Sequence, residues 1–412
     1  MKSLRLLWIT SVFYPEPGGG SGVHVYNCVK SLQKRGHRVT VVAARSKQET
    51  PAEEIWPEGV RVVRYDGRFE SPGRGIAAGG SCFKLLKNSA PEDYDAVLCG
   101  SLYSDRAAFK WIQKNKLPSI IFFYGPMDLE YKTEIQGLAR HKNIFIRSAA
   151  GLGLMPLGWW MKRQQARHIA AAGAVATLSL HSQEVIKDHL GLFPKKMAVI
   201  SGGADSNFYR PSEDRTALKK QLGYDHAQPL ILTVRRLIPR TGVDLLIEAM
   251  RYTVKKLPDA LLLIAGQGAI KDELERMSIG LGLRDRVRFL GYISETEKVR
   301  LYQAADFTVI PTISLEGFGL SIAESLACDT PVLGTPVGSI PEILNRLGPG
   351  MVFKSAEPLD LAEGIIAFTR NEGLKERLKG RSAALARQQY SWDTAAAEIE
   401  KIAGDLLQGS NL

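Results

Sequence analysis

The sequence lacks the features that mark membrane-spanning, disulfide-stabilised or zinc-stabilised proteins. No run of about 18 apolar residues occurs among its 412 residues, so no segment is expected to cross a bilayer. The four cysteines are scattered, without CxxC pairs or the Cys/His spacing of a zinc site, and we expect neither a disulfide framework nor structural zinc. These absences favour a globular protein of a reducing, cytoplasmic compartment.

Basic residues are concentrated in the first half of the chain. The net charge of +11 divides into +12 over residues 1–200 and −1 over residues 201–412. Such asymmetry indicates that the first half meets an acidic partner, for which anionic lipid, a phosphorylated molecule and nucleic acid are candidates. A solvated basic surface without a partner is the alternative.

One basic segment also carries paired tryptophans. Trp159 and Trp160 precede Lys162 and Arg163, a combination suited to a membrane interface or to a lipid. The glycines before them and Pro156 are expected to break any long amphipathic helix here. An ordinary segment packed into the core is the alternative.

Short apolar runs alternate with helix-length stretches along the chain. This alternation is typical of β-α-β units that form parallel sheets. A run rich in Gly, Asn and Pro at residues 200–212 lies between two such sets and indicates a domain boundary. Because one open sheet would not easily hold all the strands, we predict two doubly wound α/β domains, residues 1–205 and 206–390.

A glycine-rich loop follows the first predicted strand. Residues 18–22 (GGGSG) include Gly19 and Gly20 and precede a helix, where backbone N–H groups are offered to an anion. The pattern is neither the GxGxxG of a nicotinamide site nor the GxxxxGK[ST] of a P-loop. A flexible surface loop is the alternative.

A second loop, residues 311–324 (PTISLEGFGLSIAE), also follows a predicted strand, and a helix is expected to begin near Gly317. Gly317 and Gly319 leave helix-start amides accessible to a phosphate. Glu316 lies in this loop, and Glu324, about two turns on, is expected to point near the same site. Two carboxylates beside a phosphate-binding helix end suit a nucleotide sugar. Glu316 alone would be an acid that stabilises the first turn.

Three arginines, Arg235, Arg236 and Arg240, follow the strand predicted at residues 229–234. Crowding them together is costly unless an anion joins them, and guanidinium groups bind phosphate well. The loop therefore predicts a phosphate site, with a solvated basic loop as the alternative.

In order and spacing, these motifs resemble glycosyltransferase family 4 over nearly the whole chain. The resemblance rests on RGHRVTVVAA (35–44), ISGGADSNFYRP (200–211), VRRLIPRTGVDLLIEAM (234–250), LLLIAGQG (261–268), VRFLGYIS (287–294), TPVLGTPVGSIPEIL (330–344) and the Glu316/Glu324 pair. It implies the GT-B fold, two Rossmann-like domains facing a cleft, with a final helix (391–412) that packs back on the first domain. It also implies retaining transfer from a nucleoside-diphosphate sugar to an acceptor hydroxyl, without a metal or another cofactor.

The resemblance assigns roles to individual residues. Arg236 would bind the donor diphosphate, Glu316 the hydroxyls of the donor sugar and Glu324 those of the ribose. Further diphosphate contacts would come from the backbone of Gly317, Phe318, Gly319 and Leu320, and from Gly19 and Gly20 of the first domain.

The sequence departs from the family at two positions. Thr241 stands where a lysine usually joins the arginine, and Arg240 is expected to substitute for it. Tyr124, in the stretch IIFFYGPMD (120–128), stands where a histidine touches the donor sugar. Its hydroxyl can bond a sugar hydroxyl but cannot become cationic. A buried aromatic at a strand end is the alternative for Tyr124.

The sequence offers no clear candidate for a positioned nucleophile, and the family resemblance implies front-face attack, in which the leaving diphosphate helps to deprotonate the acceptor. Expected partners are a nucleotide-sugar donor and a glycan, lipid-linked sugar or small-molecule acceptor, and not nucleic acid. The basic first half suggests peripheral binding at the inner face of a membrane. The alternative is a catalytically weak sugar-nucleotide-binding subunit that supports a partner transferase.

Overall fold

A computed structural model describes residues 3–14, 19–45, 49–56, 58–67, 72–100, 102–140 and 144–409. The chain divides into two compact units. The first unit comprises Met1–Leu129, Met155–Ser201 and Trp392–Leu412, and the second comprises Glu130–Leu154 and Gly202–Ser391.

An eight-stranded sheet forms the centre of the first unit. Its strands are β1 (Arg5–Ile9), β2 (Arg38–Arg45), β3 (Glu53–Ile55), β4 (Arg61–Asp66), β5 (Ala96–Cys99), β6 (Ser119–Phe123), β7 (Ala174–Thr177) and β8 (Met197–Val199). The strand order is β3-β4-β2-β1-β5-β6-β7-β8, and only the edge pair β3/β4 is antiparallel. The helices of this part of the chain are α1 (Gly20–Lys34), α2 (Pro72–Lys87), α3 (Leu102–Asn115), α4 (Met127–Arg140), α5 (Ile144–Ala170) and α6 (Leu180–Leu190).

Apolar periodicity explains how these elements pack. The central strands β5 and β6 are buried at every position, as expected for strands covered on both faces. Helix α1 buries Val25, Cys28, Val29 and Leu32, which recur at the three- and four-residue spacing of one helix face.

A five-stranded, fully parallel sheet forms the centre of the second unit. Its strands are β9 (Leu230–Val234), β10 (Leu261–Ala265), β11 (Val287–Gly291), β12 (Phe307–Ile310) and β13 (Val332–Gly334), in the order β11-β10-β9-β12-β13. The helices are α7 (Arg215–Gln221), α8 (Val243–Thr253), α9 (Lys271–Gly280), α10 (Glu295–Ala304), α11 (Leu320–Ala327), α12 (Ile340–Leu344), α13 (Pro358–Arg370), α14 (Glu372–Leu378) and α15 (Arg381–Gln389).

The last helix, α16 (Trp392–Gly409), is part of the first unit and packs on α1. Arg35, at the end of α1, donates to Glu400 over 2.7 Å and to Asp393 over 3.2 Å. The Glu400 side chain is only 7% exposed, so this carboxylate depends on Arg35 for its charge compensation.

Each sheet has one strand at which the strand order reverses, so that the chain continues towards one edge of the sheet and later towards the other. In the first unit, β1 lies between β2 and β5, and in the second, β9 lies between β10 and β12. Such topological switch points open a crevice at the carboxyl ends of the strands, where open α/β sheets bind ligands. We therefore expect ligand-binding residues in the loops after β1, β9 and β12.

The prediction of two doubly wound α/β sheets is confirmed. The glycines and Pro156 are expected from the sequence to break any long amphipathic helix around Trp159. The expected break is wrong, because α5 runs without interruption through Pro156, but the apolar residues of α5 do not gather on one face. A proline removes one backbone hydrogen bond, and the helix continues here because Met161, His168 and Ile169 anchor its second half in the core. Within the described part of the chain, no helix is both long and apolar enough to cross a bilayer.

Candidate active site

Two loops meet at the switch point of the second unit. The first joins β9 to α8, and the second joins β12 to α11. The Ile313 amide donates to the Arg240 carbonyl over 3.0 Å, which links the two loops directly. A Cβ at Gly242 would lie 1.9 Å from the Pro311 carbonyl oxygen, and the residue has φ of +69°, so only glycine permits this approach.

A nearly buried ion pair joins the loops through their side chains. Arg235 Nη2 donates to Glu316 Oε2 over 2.6 Å, with side-chain exposures of 8% and 12%. The Thr312 hydroxyl donates to the same oxygen over 2.9 Å. Burial alone would raise the pKa of the Glu316 carboxyl, but the charge and hydrogen bond of Arg235 outweigh it, and the pKa is lowered. Glu316 is thus held ionised.

The other two arginines have different environments. Arg236 is exposed. Arg240 is half-buried, and its Nη1 donates to the Leu315 carbonyl over 2.9 Å. Leu315 has φ of +58°, a conformation that costs a non-glycine residue about 1–3 kcal/mol and is found at functional loops. Arg240 therefore helps to hold the strained loop that carries Glu316.

Thr241 does not take the place of a lysine. Its side chain is buried, and its hydroxyl is 2.9 Å from the Arg236 carbonyl and 2.7 Å from the Ile238 carbonyl. Thr241 therefore closes the arginine loop on itself.

A third loop, after β13, supports the Glu316 backbone. The Ser339 amide donates to the Glu316 carbonyl over 3.0 Å. A Cβ at Gly338 would lie 2.2 Å from that carbonyl oxygen, so the segment packs against Glu316 only because residue 338 is glycine.

Helix α11 begins at Leu320, three residues later than the sequence predicts. Gly319 is its N-cap and has φ of +80°, in the left-handed region, so the helix does not extend back through Gly317. The Phe318 side chain is 3% exposed and packs edge-on against Tyr390, with ring centroids 5.4 Å apart. Only the backbone of Phe318 is therefore suited to a ligand contact.

Glu324 is buried between α11 and α10. Its Oε1 accepts from Lys298 Nζ and its Oε2 from the Tyr302 hydroxyl, each over 3.0 Å. Burial raises the pKa of the Glu324 carboxyl above its usual value, in spite of Lys298. Burial would lower the pKa of Lys298, but the carboxylates of Glu324 and Glu295 raise it, so the lysine stays charged.

Sequence reasoning missed these two partners of Glu324. Lys298 and Tyr302 are four residues apart on α10 and therefore share one helix face, which is the available signal. Lys298 also pairs with Glu295 over 2.9 Å, and Glu295 accepts from the Tyr209 hydroxyl over 2.5 Å. Glu324 thus belongs to a chain of charged and hydroxyl groups that extends to Tyr209.

In the first unit, the loop after β1 leads into α1. Gly19 is the N-cap of α1, and a Cβ added there would meet no atom of the described residues within 4 Å. Gly20 is the first residue of the helix, where backbone N–H groups lack intrahelical partners. Gly18 lies outside the described residues.

Tyr124 follows β6 and bonds a residue that the sequence did not single out. Its hydroxyl lies 3.2 Å from Nδ1 of His24, which belongs to α1. His24 is 1% exposed, and burial lowers its pKa to about 4, so its ring is neutral at physiological pH. Tyr124 is half-buried, so it is neither a free surface hydroxyl nor a fully buried aromatic.

The turn after Tyr124 is held by two helices. Gln165 of α5 donates to the Gly125 carbonyl over 2.9 Å. His189 of α6 lies 2.9 and 3.0 Å from the two carboxylate oxygens of Asp128. The backbone beyond Tyr124 is thereby fixed relative to the sheet.

The two groups of side chains differ in what they can do chemically. The loops of the second unit offer guanidinium groups and the ionised carboxylate of Glu316, which suit a phosphate and hydroxyls. The first unit offers helix-start amides and a phenol bonded to a neutral imidazole. Within the described residues, no cluster of three or more His, Cys, Asp or Glu side chains could hold a metal ion.

Two family models match the chain. The model described as Glycosyltransferase Family 4 matches residues 18–208, and the model described as Glycosyl transferases group 1 matches residues 214–384. Together they span both units.

Curated relatives match over most of the chain. A D-inositol 3-phosphate glycosyltransferase of Xylanimonas cellulosilytica is 27% identical over 399 residues, 92% of this chain and 90% of the relative. A GDP-mannose-dependent monoacylated alpha-(1-6)-phosphatidylinositol monomannoside mannosyltransferase of Corynebacterium glutamicum is 26% identical over 72% of this chain and 84% of the relative.

Solved structures share the fold. Sucrose-phosphate synthase of Thermosynechococcus elongatus has a TM-score of 0.82 at 17% identity, covering 98% of this chain and 100% of that structure. HepE of Anabaena, solved with UDP and glucose, has a TM-score of 0.75 at 19% identity with the same coverage. At these identities the likeness shows the fold, which is GT-B as the sequence predicts.

Proposed function

Because the chain belongs to glycosyltransferase family 4, we propose that it is a retaining enzyme that moves a sugar from a nucleoside-diphosphate sugar to an acceptor hydroxyl. The observation that carries the proposal is the pair of loops at the β9/β12 switch point. They bring the arginines and the ionised Glu316 together at the edge of the sheet where such folds bind ligands.

Arginines supply the positive charge that a diphosphate requires. Arg236 is exposed and able to reach a ligand, and Arg240 lies beside the Glu316 loop. The backbone at Gly317, Gly319 and Leu320 adds amides and the positive end of the α11 dipole. The proposed donor site therefore needs no metal ion to balance the diphosphate charge.

The two carboxylates are proposed to bind different parts of the donor. Glu316 is held ionised by Arg235 and would accept bonds from the hydroxyls of the donor sugar. Glu324 would accept from the ribose hydroxyls. A carboxylate has about four lone-pair sites, so Glu324 retains acceptor capacity beside Lys298 and Tyr302.

The proposed mechanism is front-face transfer. The sugar becomes oxocarbenium-like while the diphosphate gains charge, and a diphosphate oxygen takes the proton of the acceptor hydroxyl. Arg236 and Arg240 would stabilise the developing charge. Removing one such contact is expected to raise the barrier by about 3 kcal/mol, roughly 100-fold in rate.

The acceptor is proposed to carry a phosphate or to lie at an anionic surface. Residues 1–200 carry a net charge of +12, which attracts such a molecule. The named relatives act on an inositol phosphate and on a phosphatidylinositol mannoside, so inositol 3-phosphate is a suitable first acceptor to test. No nucleic acid partner is proposed.

The test compares two variants by calorimetry and turnover. Glu324→Gln should weaken a nucleoside diphosphate and its nucleotide sugar equally, because both contain ribose. Glu316→Gln should weaken the nucleotide sugar more than the diphosphate. The wild type should hydrolyse or transfer from at least one UDP-, GDP- or ADP-sugar. Tight binding without any turnover would overturn the enzyme proposal in favour of a nucleotide-sugar-binding subunit.

A further inference from the structure

We infer that His24 and Gly100 are positioning residues for Tyr124, and that the three together make the Tyr124 oxygen an acceptor for a sugar hydroxyl. The inference rests on the proposed function and deepens it. It gives a chemical role to a histidine on α1 and a glycine after β5 that no family motif in this sequence singles out.

Tyr124 connects the ends of three strands. It follows β6, Gly100 follows β5, and His24 lies on the helix that follows β1; in the sheet, β5 lies between β1 and β6. A Cβ added to Gly100 would lie 2.7 Å from Tyr124 Cε2 and 2.8 Å from Phe122 Cβ. The Tyr124 ring thus occupies the space that the missing side chain of Gly100 leaves, and this placement lets its hydroxyl reach α1.

His24 is suited to hold that hydroxyl in one direction. Its ring is 1% exposed and lies among Trp8, Phe122 and Trp392, with ring centroids 5.4–6.5 Å away. This packing fixes the imidazole plane. The ring also interacts with the backbone of Ile200, which favours its protonated form, and Nε2 lies 3.6 Å from the Cys28 sulfur.

The protonation state of His24 determines what Tyr124 can do. A neutral imidazole has one N–H donor and one acceptor nitrogen. In the arrangement we infer, Nε2 carries the hydrogen, and Nδ1, 3.2 Å from the phenol oxygen and 3.9 Å from the Cys28 sulfur, accepts from Tyr124. A phenol that gives its hydrogen to His24 can act on a substrate only as an acceptor.

A specificity follows for the donor sugar. A phenol oxygen that only accepts favours a sugar position that bears a hydroxyl and disfavours a deoxy or fluoro sugar at that position. Hydrogen bonds in series also polarise one another, so the oxygen is a stronger acceptor than an isolated tyrosine.

The experiment measures donor turnover in Tyr124→Phe, His24→Leu, His24→Gln, Gly100→Ala and the double variant Tyr124→Phe/His24→Leu. We expect kcat to fall about tenfold in each of the first two, and the double variant to lose no more than either. His24→Gln, whose amide oxygen can accept, should recover part of the loss. Gly100→Ala should resemble Tyr124→Phe, because it displaces the ring. Deoxy and fluoro donors should lose their disadvantage in Tyr124→Phe.

Two controls separate this role from packing. His168→Leu removes another buried histidine of the first unit, 4% exposed and packed on Phe109, and should leave kcat unchanged. Imidazole 15N chemical shifts of the wild type should report the Nε2–H form of His24, independently of activity.

Several outcomes would overturn the inference. These are additive losses in the double variant, wild-type turnover in a folded His24→Leu, or an Nδ1–H form of His24. A wild type that turns over no nucleotide sugar would overturn the proposed function, and the chemical shifts would still decide whether Tyr124 donates to His24.

Discussion

The candidate site residues of the two units differ in charge. In the second unit they form ion pairs, Arg235 with Glu316 and Lys298 with Glu324. In the first unit, Tyr124 and a neutral His24 lie among aromatic rings. Yet the first half of the sequence carries the net charge of +12 and the second half −1. The net charge of a region therefore does not indicate whether its candidate site contains charged side chains.

The difference follows from the cost of burial. A buried carboxylate is tolerated when a cation and hydrogen bonds compensate it, so Glu316 and Glu324 each lie beside a cation, and these two pairs contribute nothing to the net charge. The excess of basic over acidic residues in the first half is tolerated where water solvates it, and it attracts anions over a distance.

Arg235→Met is expected to have the largest effect and tests the ion pairs of the second unit. It leaves Glu316 nearly buried without its cation, and we expect the free energy of unfolding to fall by about 3–5 kcal/mol. Chemical denaturation measures the loss, and Arg235→Met/Glu316→Gln should recover part of it. The matched control is Lys271→Ala, whose partner Glu275 is 3.3 Å away in a pair more than a third exposed on each side; it should change stability by less than about 1 kcal/mol. Equal losses in both variants would contradict the contrast.

Turnover measurements test the two arginines of the second unit that lie outside the ion pair with Glu316. Arg236→Ala and Arg240→Ala should each lower kcat roughly 100-fold, because both would act on the charge of the leaving diphosphate. The double variant should lose less than the product of the two losses, since the residues share one ligand. Full additivity would separate their roles, and Arg240 would then act through the Leu315 loop that it supports.

A pH titration tests whether the buried histidines of the first unit are neutral. The pKa values of His24 and His168 are lowered by burial to about 4, against about 6.5 in the unfolded chain. Between these values the unfolded state binds more protons, so stability falls as pH drops from 6.5 towards 4. Each histidine should cost about 1 kcal/mol by pH 5.5.

Calorimetry of the wild type and of His24→Gln and His168→Gln measures this slope, and each variant should flatten it. Glu316 contributes differently: its lowered pKa makes its stabilisation complete above the ordinary glutamate value and lost only below it. A wild-type stability that stays constant between pH 6.5 and 5 would remove the neutral-histidine description of the first unit.

The smallest expected effect concerns the surface charge. Binding to vesicles should rise with the fraction of anionic lipid and fall with salt if the basic first half meets a membrane. Trp159 is 62% exposed on α5, with the Arg163 guanidinium 5.2 Å from its ring centre, so Trp159→Ala should weaken binding a few-fold. Ile279→Ala, at an exposed apolar position of the second unit, is the control. Binding indifferent to lipid charge would leave a small acidic acceptor as the partner.

Much of the site was predictable because strand ends are readable in sequence. The glycines and arginines after β9 and the Glu316 loop after β12 were predicted to serve one function, and the sheet order places these loops side by side. The family resemblance is confirmed by the two matching family models. The roles given to Arg236, Arg240, Glu316, Glu324 and Tyr124 stay predictions for the experiments above.

Side-chain partners were not predictable in the same way. Arg235 and Arg236 are adjacent and chemically identical, and successive residues at a strand end point to opposite sides, so only the fold decides which one meets Glu316. Lys298 is 26 residues from Glu324 in sequence, and His24 is 100 residues from Tyr124. No local pattern encodes such pairs.

The sequence by itself determined the alternation of strands and helices, the family, the loops that carry the candidate residues and the uneven charge, because each depends on local periodicity or composition. Only the tertiary structure decided that Arg235 holds Glu316, that Lys298 and Tyr302 hold Glu324, and that Gly100 leaves room for Tyr124 to reach His24. The reason is physical: a buried polar group must find its partner wherever the packing of distant segments brings one within hydrogen-bond distance.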